Sequence, residues 1–315
     1  MSKYHTPVML QQCINFIAPK PGGIYVDATI GGGGHSLGLL QSCPDIHLIG
    51  FDQDAEALQE AQLTLFPYQD RVELIQANFS RLRTELAFRQ IKTINGILFD
   101  LGVSSHQLET PERGFSFELD APLDMRMAQD SELTAETVLN ELSQRELTKI
   151  FRDYGEELNA SRIATKIVKV REKHPLKTTG DLVKVIESVV GKGTKASLKT
   201  KVRIFQALRI YINNELEILE QALKDAINIL QPGGRIVVLS YHSLEDRIVK
   251  NVFRTAAEGE KMPSELSYLG NNNKGKLQLL TRKPLLAEAE EIKIIHILAV
   301  LNCELQKKSR GKNAS

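Results

Sequence analysis

Ile24-Tyr25-Val26-Asp27-Ala28-Thr29-Ile30-Gly31-Gly32-Gly33-Gly34-His35-Ser36 decides the fold. A short apolar run ends on an acidic residue, breaks into consecutive glycines and opens into a helical stretch near Ser36–Gln41. A strand that turns through glycines into a helix brings its backbone close to a bound ligand, because a Cβ there would obstruct the turn or the ligand. A second apolar run, Leu48-Ile49-Gly50-Phe51, ends on Asp52 about one strand–helix–strand unit later. A carboxylate in that place can grip a ribose diol. The stretch reads as a nucleoside-cofactor site, with a tight ligand-free turn as the bland alternative.

The dinucleotide fingerprint Gly-x-Gly-x-x-Gly fits in no register. From Gly31 its third glycine falls on Ser36, from Gly32 on Leu37, and from Gly33 the second falls on His35. The series Asp27-x-Thr29-x-Gly31-x-Gly33 instead resembles motif I of the S-adenosylmethionine-dependent methyltransferases with a Rossmann-like sheet. A cationic sulfonium suits a pocket with several carboxylates and no arginine for a pyrophosphate.

Short apolar runs alternate with helical patterns, which is the signature of an α/β fold. Strands are expected at Ile24–Ala28, His47–Phe51, Val72–Gln76, Asn95–Asp100 and Arg235–Ser240, the last introduced by Pro232-Gly233-Gly234. Helices are expected at Ala55–Leu65 and Ser80–Gln90, capped by Asp54 and Ser80. The span 101–234 far exceeds a simple crossover and implies an inserted helical domain, with helices at Glu141–Tyr154, Ala160–Lys173 and Thr179–Val190. From about Ser197 apolar positions at steps of three and four run through Leu230, which predicts one long helix back to the sheet.

Composition is that of an ordinary globular protein, and no apolar run reaches the ~18–20 residues of a membrane span. Cys13, Cys43 and Cys303 lack metal or redox spacing, and the N-terminus lacks the build of a signal peptide, so the expected compartment is the cytoplasm, without metal and without membrane. Net charge is only +1, but Arg145–Arg209 holds 16 Lys/Arg against 7 Asp/Glu, a local +9. A basic middle in an acidic frame is what a phosphate-binding surface needs, and solvated helix faces are the bland reading.

Ligands of open α/β sheets lie beyond the carboxyl ends of the strands. Gly33, Gly34 and His35 offer backbone amides there, Asp52 a diol acceptor, Asn78-Phe79 an amide and an aromatic face for a base, and Asp100 a carboxylate where chemistry would occur. Asp124 and His242 are further candidates for catalysis, although Asp124 can equally pair with Arg126. Phe115, Phe117 or Tyr241 can stack on an extruded base, with core packing as the alternative for the phenylalanines. Lys192, Lys195, Lys199, Lys201 and Arg126 are candidate RNA-phosphate contacts.

Five long segments then carry a resemblance across most of the chain, from about His5 to about Pro284. They are Asp100-Leu101-Gly102-Val103-Ser104-Ser105-His106-Gln107-Leu108, Glu112–Phe117 with Asp120–Met127, Ile204–Ile210, Ser240-Tyr241-His242-Ser243-Leu244-Glu245-Asp246-Arg247 and Tyr4–Leu10. Together they resemble the bacterial 16S ribosomal RNA cytosine-N4 methyltransferase family. The resemblance implies S-adenosylmethionine as cofactor, with contacts at Gly33, Gly34, His35, Asp52, Phe79, Asp100 and Gln107, the last supplied by the resemblance alone. It implies the N4 amine of cytosine 1402 of 16S rRNA in the small ribosomal subunit as substrate. A homodimer is compatible with it. It also implies a domain plan: 1–107 and 199–315 as the two parts of a Rossmann-like class I methyltransferase domain, and 108–198 as an inserted, mainly helical substrate-recognition domain. One departure stands out. Family members end in a polar, basic segment, whereas here Glu290-Glu291-Ile292-Lys293 leads into an apolar run and Cys303-Glu304-Leu305, so the final strand is expected to be rebuilt or the reading frame to have shifted near residue 293.

Overall fold

Alternating apolar residues in the expected strands build a sheet buried on both faces. A computed structural model of the chain describes residues 7–258, 275–281, 285 and 298–302. Its strands are β1 (Ile24–Asp27), β2 (His47–Asp52), β3 (Val72–Gln76), β4 (Ile94–Asp100), β5 (Leu230–Leu239), β6 (Leu277–Leu279) and β7 (Leu298–Asn302). The sheet order is β3-β2-β1-β4-β5-β7-β6. Strands β1 to β5 pair in parallel, while β7 runs antiparallel between β5 and β6. Period-two alternation sorts Ile97, Phe99, Ile236 and Val238 into one core and Leu98, Val237 and Leu239 into another. The fold is the expected α/β class.

The chain divides into two compact units, Met1–Leu101 with Leu219–Ser315, and Gly102–Ile218. The second unit is helical, with helices at Ala135–Glu141, Gln144–Asp153, Ala160–Arg171, Thr179–Val190 and Lys195–Asn213 around Phe151, Ile163, Ile186, Ile204 and Leu208. Three of its helices, one of them Ser105–Glu109, start in reciprocal capping boxes: Ser104 with Gln107, Ser143 with Glu146 and Thr178 with Asp181. No helix among the described residues is long and apolar enough to cross a membrane.

Three expectations need correction. The single long helix is two, Lys195–Asn213 and Glu215–Ile229, broken where Asn214 takes a left-handed φ of 49°. Asparagine tolerates that conformation better than most residues, and the apolar spacing runs on across the break without registering it. The first of these helices packs Ile204, Phe205, Ala207, Leu208 and Ile212 into the helical core, so the inserted unit begins at Gly102 and reaches Ile218 rather than spanning 108–198. The cap expected at Ser80 is Asn78, whose side chain accepts from the Ser80 amide.

Leu298–Asn302 lies in the apolar run that follows the departure near residue 293 and pairs with β5 and β6. Tyr4, His5, Thr6, residues 286–297, Cys303 and the basic stretch Lys307–Lys312 lie outside the described residues.

Gly50 of β2 is closely packed, since a Cβ there would lie 2.1 Å from Ile30 Cδ1 and 3.1 Å from its Cγ1, so the buried Ile30 side chain would have to shift. Gly50→Ala should therefore cost about 1–3 kcal/mol of stability, read as a lowered melting temperature. An unchanged melting temperature would mean that Ile30 yields freely.

Candidate active site

The strand order reverses between β1 and β4, and α/β proteins bind ligands beyond the carboxyl ends of the strands at such a point. Asp27 closes β1 and is buried. Its carboxylate accepts from the Thr29 amide at 3.2 Å and the Ser36 hydroxyl at 2.7 Å, clamping both ends of the glycine turn. Burial pushes its carboxyl above the ordinary range, against the opposing pull of those hydrogen bonds. Within the turn Gly31 and Gly33 take φ of 50° and 84°, values that favour glycine. A Cβ on Gly31 would meet nothing within 4 Å, so that side of the turn opens into space. The helix Gly34–Ser42 begins at Gly33 with no side-chain cap. Its first amides thus suit a carboxylate ligand, favoured by the helix dipole.

Asp52 sits at the end of β2, as expected of the diol acceptor. Its Oδ2 accepts from the Gly31 amide at 3.0 Å and its Oδ1 from the Asp54 amide at 2.9 Å. An ionised carboxylate has about four acceptor positions, so each oxygen keeps capacity for a ribose hydroxyl. Burial raises its carboxyl from 3.8 to about 6. The turns after β2 and β3 are tied together by Asn78, whose amide donates to Gln53 at 3.0 Å while its oxygen caps Ser80. Phe79 is half-buried and meets Phe99 edge-to-face, with centroids 5.7 Å apart. These groups fit a nucleoside with a diol and a zwitterionic tail.

Asp100, the last residue of β4, is held from three directions. Its amide donates to Thr29 Oγ1 at 2.7 Å, its Oδ1 accepts from the Tyr241 hydroxyl at 2.6 Å, and its Oδ2 faces His35 Nδ1 at 3.5 Å. His35 Nε2 lies 2.9 Å from the Val8 carbonyl, an acceptor only, so that nitrogen carries a proton. His242 lies against Glu245: the Glu245 amide donates to Nδ1 at 3.4 Å, while Nε2, buried and without a hydrogen bond, lies 3.2 Å from Glu245 Oε1. Sequence reasoning missed Glu245 and the Tyr241–Asp100 bond. The only available signal was that Tyr241 and Glu245 follow the strand adjacent to β4.

The other candidates belong to the second unit. Gln107 forms a capping box with Ser104, its side chain accepting from the Ser104 amide at 3.1 Å. Asp124 binds Arg126 with both oxygens, at 2.8 and 2.7 Å, and Arg126 also donates to the Gln129 and Ser131 carbonyls. Despite partial burial, the Arg126 bonds hold the Asp124 carboxyl below its ordinary value. The bland reading of this pair is the observed one. Phe115 is buried, and Phe117 packs edge-to-face on Phe205, so both rings serve the helical core. Lys192, Lys195 and Lys199 are exposed, whereas Lys201 is half-buried and pairs with Glu187 at 3.1 Å.

The family described as the MraW methylase family matches residues 2–295. The chain is 49% identical over 290 residues to "Ribosomal RNA small subunit methyltransferase H" of Geotalea daltonii, covering 91% of this chain and 93% of that one. It is 45% identical over 293 residues to the protein of the same name from Heliobacterium modesticaldum, covering 92% and 94%. A solved rRNA methylase from Streptococcus thermophilus gives a TM-score of 0.44 at 11% identity, covering 96% of this chain and 100% of that one.

The raised carboxyl of Asp52 has two consequences. Its folded value lies above the unfolded 3.8, so the stability it contributes is complete below that value and lost as pH rises through about 6. Ligand binding runs the other way, because only the ionised form is a full acceptor for a diol. Affinity for S-adenosylmethionine, the cofactor implied by the sequence, should rise with pH through about 6 in a calorimetric titration. Asp52→Asn should bind weakly, with that inflection gone. A wild-type profile flat through this range would remove Asp52 from the ribose site.

Proposed function

The chain belongs to the MraW methylase family, and from that premise we propose that it methylates the N4 amine of cytosine 1402 in 16S rRNA of the small ribosomal subunit, with S-adenosylmethionine as donor. The observation that carries this reading is the fixed Asp100 carboxylate beside the glycine turn, at the end of β4. Bound S-adenosylmethionine supplies an electrophilic methyl group on sulfonium. The helix-start amides of Gly34 and His35 would take its carboxylate, Asp52 would take its ribose hydroxyls, and Phe79 would lie against its adenine.

The N4 lone pair of cytosine is delocalised into the ring, so the amine is a poor nucleophile until acceptors hold its hydrogens. Asp100 supplies such an acceptor. His242, fixed on Glu245, orients the base. Methyl transfer would leave the donor as a neutral thioether and free one amine proton, which Asp100 would accept. Alignment can supply ~7–11 kcal/mol of the barrier, and extruding the base costs a few kcal/mol. Asp124 and Arg126, bound to each other, shape the surrounding loop instead of acting on the amine.

Lys192, Lys195 and Lys199 give the second unit an exposed basic face for rRNA phosphates, and the Glu187-paired Lys201 contributes less. The decisive experiment transfers label from S-adenosylmethionine to small subunits lacking the modification and locates it by mass spectrometry. Label on N4 of the decoding-region cytosine is expected. Donor binding without transfer would favour a non-catalytic role in subunit assembly. Replacing Lys192, Lys195 and Lys199 by alanine should reduce the log–log salt slope of rRNA binding by roughly 2–3, at ~0.7–0.9 for each phosphate left without its lysine. An unchanged slope would reject the basic face as the rRNA-binding surface.

A further inference from the structure

Tyr241 follows β5 with its ring half-buried against the core that holds Leu98 and Leu239, although its sequence position suggests stacking on a base. Its hydroxyl has a different engagement. It donates to Asp100 Oδ1 at 2.6 Å, a short charge-assisted bond. The parallel register explains how it arrives there: Asp100 lies opposite Leu239 on β5, and Tyr241 follows two residues later. The backbone of Tyr241 is held in turn, its amide donating to Oε2 of buried Glu245 at 2.8 Å.

We propose that Tyr241 is a positioning residue for methyl transfer, aiming the Asp100 carboxylate at the reacting amine through this hydroxyl bond. The proposal rests on the reading of Asp100 as the amine's acceptor. An aspartate carboxylate turns readily about χ2, whose profile is broad and roughly two-fold. Thr29 fixes the Asp100 backbone but cannot set that torsion. The Tyr241 hydroxyl does set it, keeping Oδ1 on the tyrosine and turning Oδ2 to the side of the glycine turn, where His35 Nδ1 lies 3.5 Å away. Burial, and after it the Asp100 charge, pushes the Tyr241 phenol well above its ordinary value, so it remains a donor at every working pH. Glu245 links this device to His242, because one carboxylate holds the Tyr241 amide and lies against the imidazole.

The test is a double-mutant cycle on the full chain with small subunits as substrate: Tyr241→Phe, Asp100→Asn and the pair, each with a melting temperature. Tyr241→Phe keeps the ring and removes one oxygen. Its kcat at saturating donor should fall roughly ten- to hundred-fold, the range for one hydrogen bond to a charged group, with little change in melting temperature. In the Asp100→Asn background the same change should cost under about two-fold, since a positioning residue has nothing left to aim. Wild-type kcat in Tyr241→Phe would overturn the proposal and leave Tyr241 as a stacking or packing ring. Losses that multiply in the double mutant would overturn it as well, and so would a fall in kcat that merely tracks lost stability. An Asp100→Asn protein with wild-type turnover would show instead that the reading of Asp100 itself had failed, taking the positioning role with it.

Discussion

A buried carboxylate holds the site together. Asp27 is 1% exposed, and placing a charge there is costly unless its oxygens are bonded. The Thr29 amide and Ser36 hydroxyl provide those bonds from the two ends of the glycine turn. The turn therefore has one shape. From it follow the reach of Gly31 to Asp52, the direction of the helix Gly34–Ser42, and the placement of His35 between the Val8 carbonyl and Asp100. Thr29 adds a further tie, receiving the amide of Asp100 from the neighbouring strand. Few residues of this network need to touch a ligand for all of them to matter to its binding.

Each unit closes its own core, and this frees the loops for chemistry. In the first, both faces of the sheet are covered, so the strand ends are the remaining place where polar groups can converge. In the second, Arg113 is buried and donates to the Arg126 and Met127 carbonyls, while Asn213 binds the Met125 carbonyl and the Met127 amide. A loop this well bonded is a rigid scaffold, and the Asp124–Arg126 pair belongs to that scaffold.

Much of the fold was legible because short-range rules govern it. The strand Val72–Gln76 and the helix Thr179–Val190 have the bounds read from the sequence, one a β-branched and apolar run, the other a helical pattern that Thr178 caps in the structure. Asp52 and Asp100 lie at strand ends for the same reason. The errors come from competition between neighbouring groups. Asn78 and Ser80 can each cap a helix, and the asparagine oxygen wins. Asn214 reads as an ordinary polar residue in a helical pattern, yet it ends one helix and precedes another. Lys201 looked equivalent to its neighbours at 192, 195 and 199 until Glu187 of another helix claimed it.

The sequence by itself determined the α/β class, the glycine turn, the placement of Asp27, Asp52 and Asp100, the basic helical insert and the family resemblance. These depend on periodicity, local backbone preference and motif spacing, which act over a few residues. The tertiary structure alone decided the partners of the polar side chains. It put the Tyr241 hydroxyl on a carboxylate 141 residues earlier in the chain and joined Lys201 to Glu187 of another helix. It also assigned the helix Lys195–Asn213 to the inserted unit. Hydrogen-bond geometry and burial depend on which strands and helices become neighbours, and no local pattern encodes that.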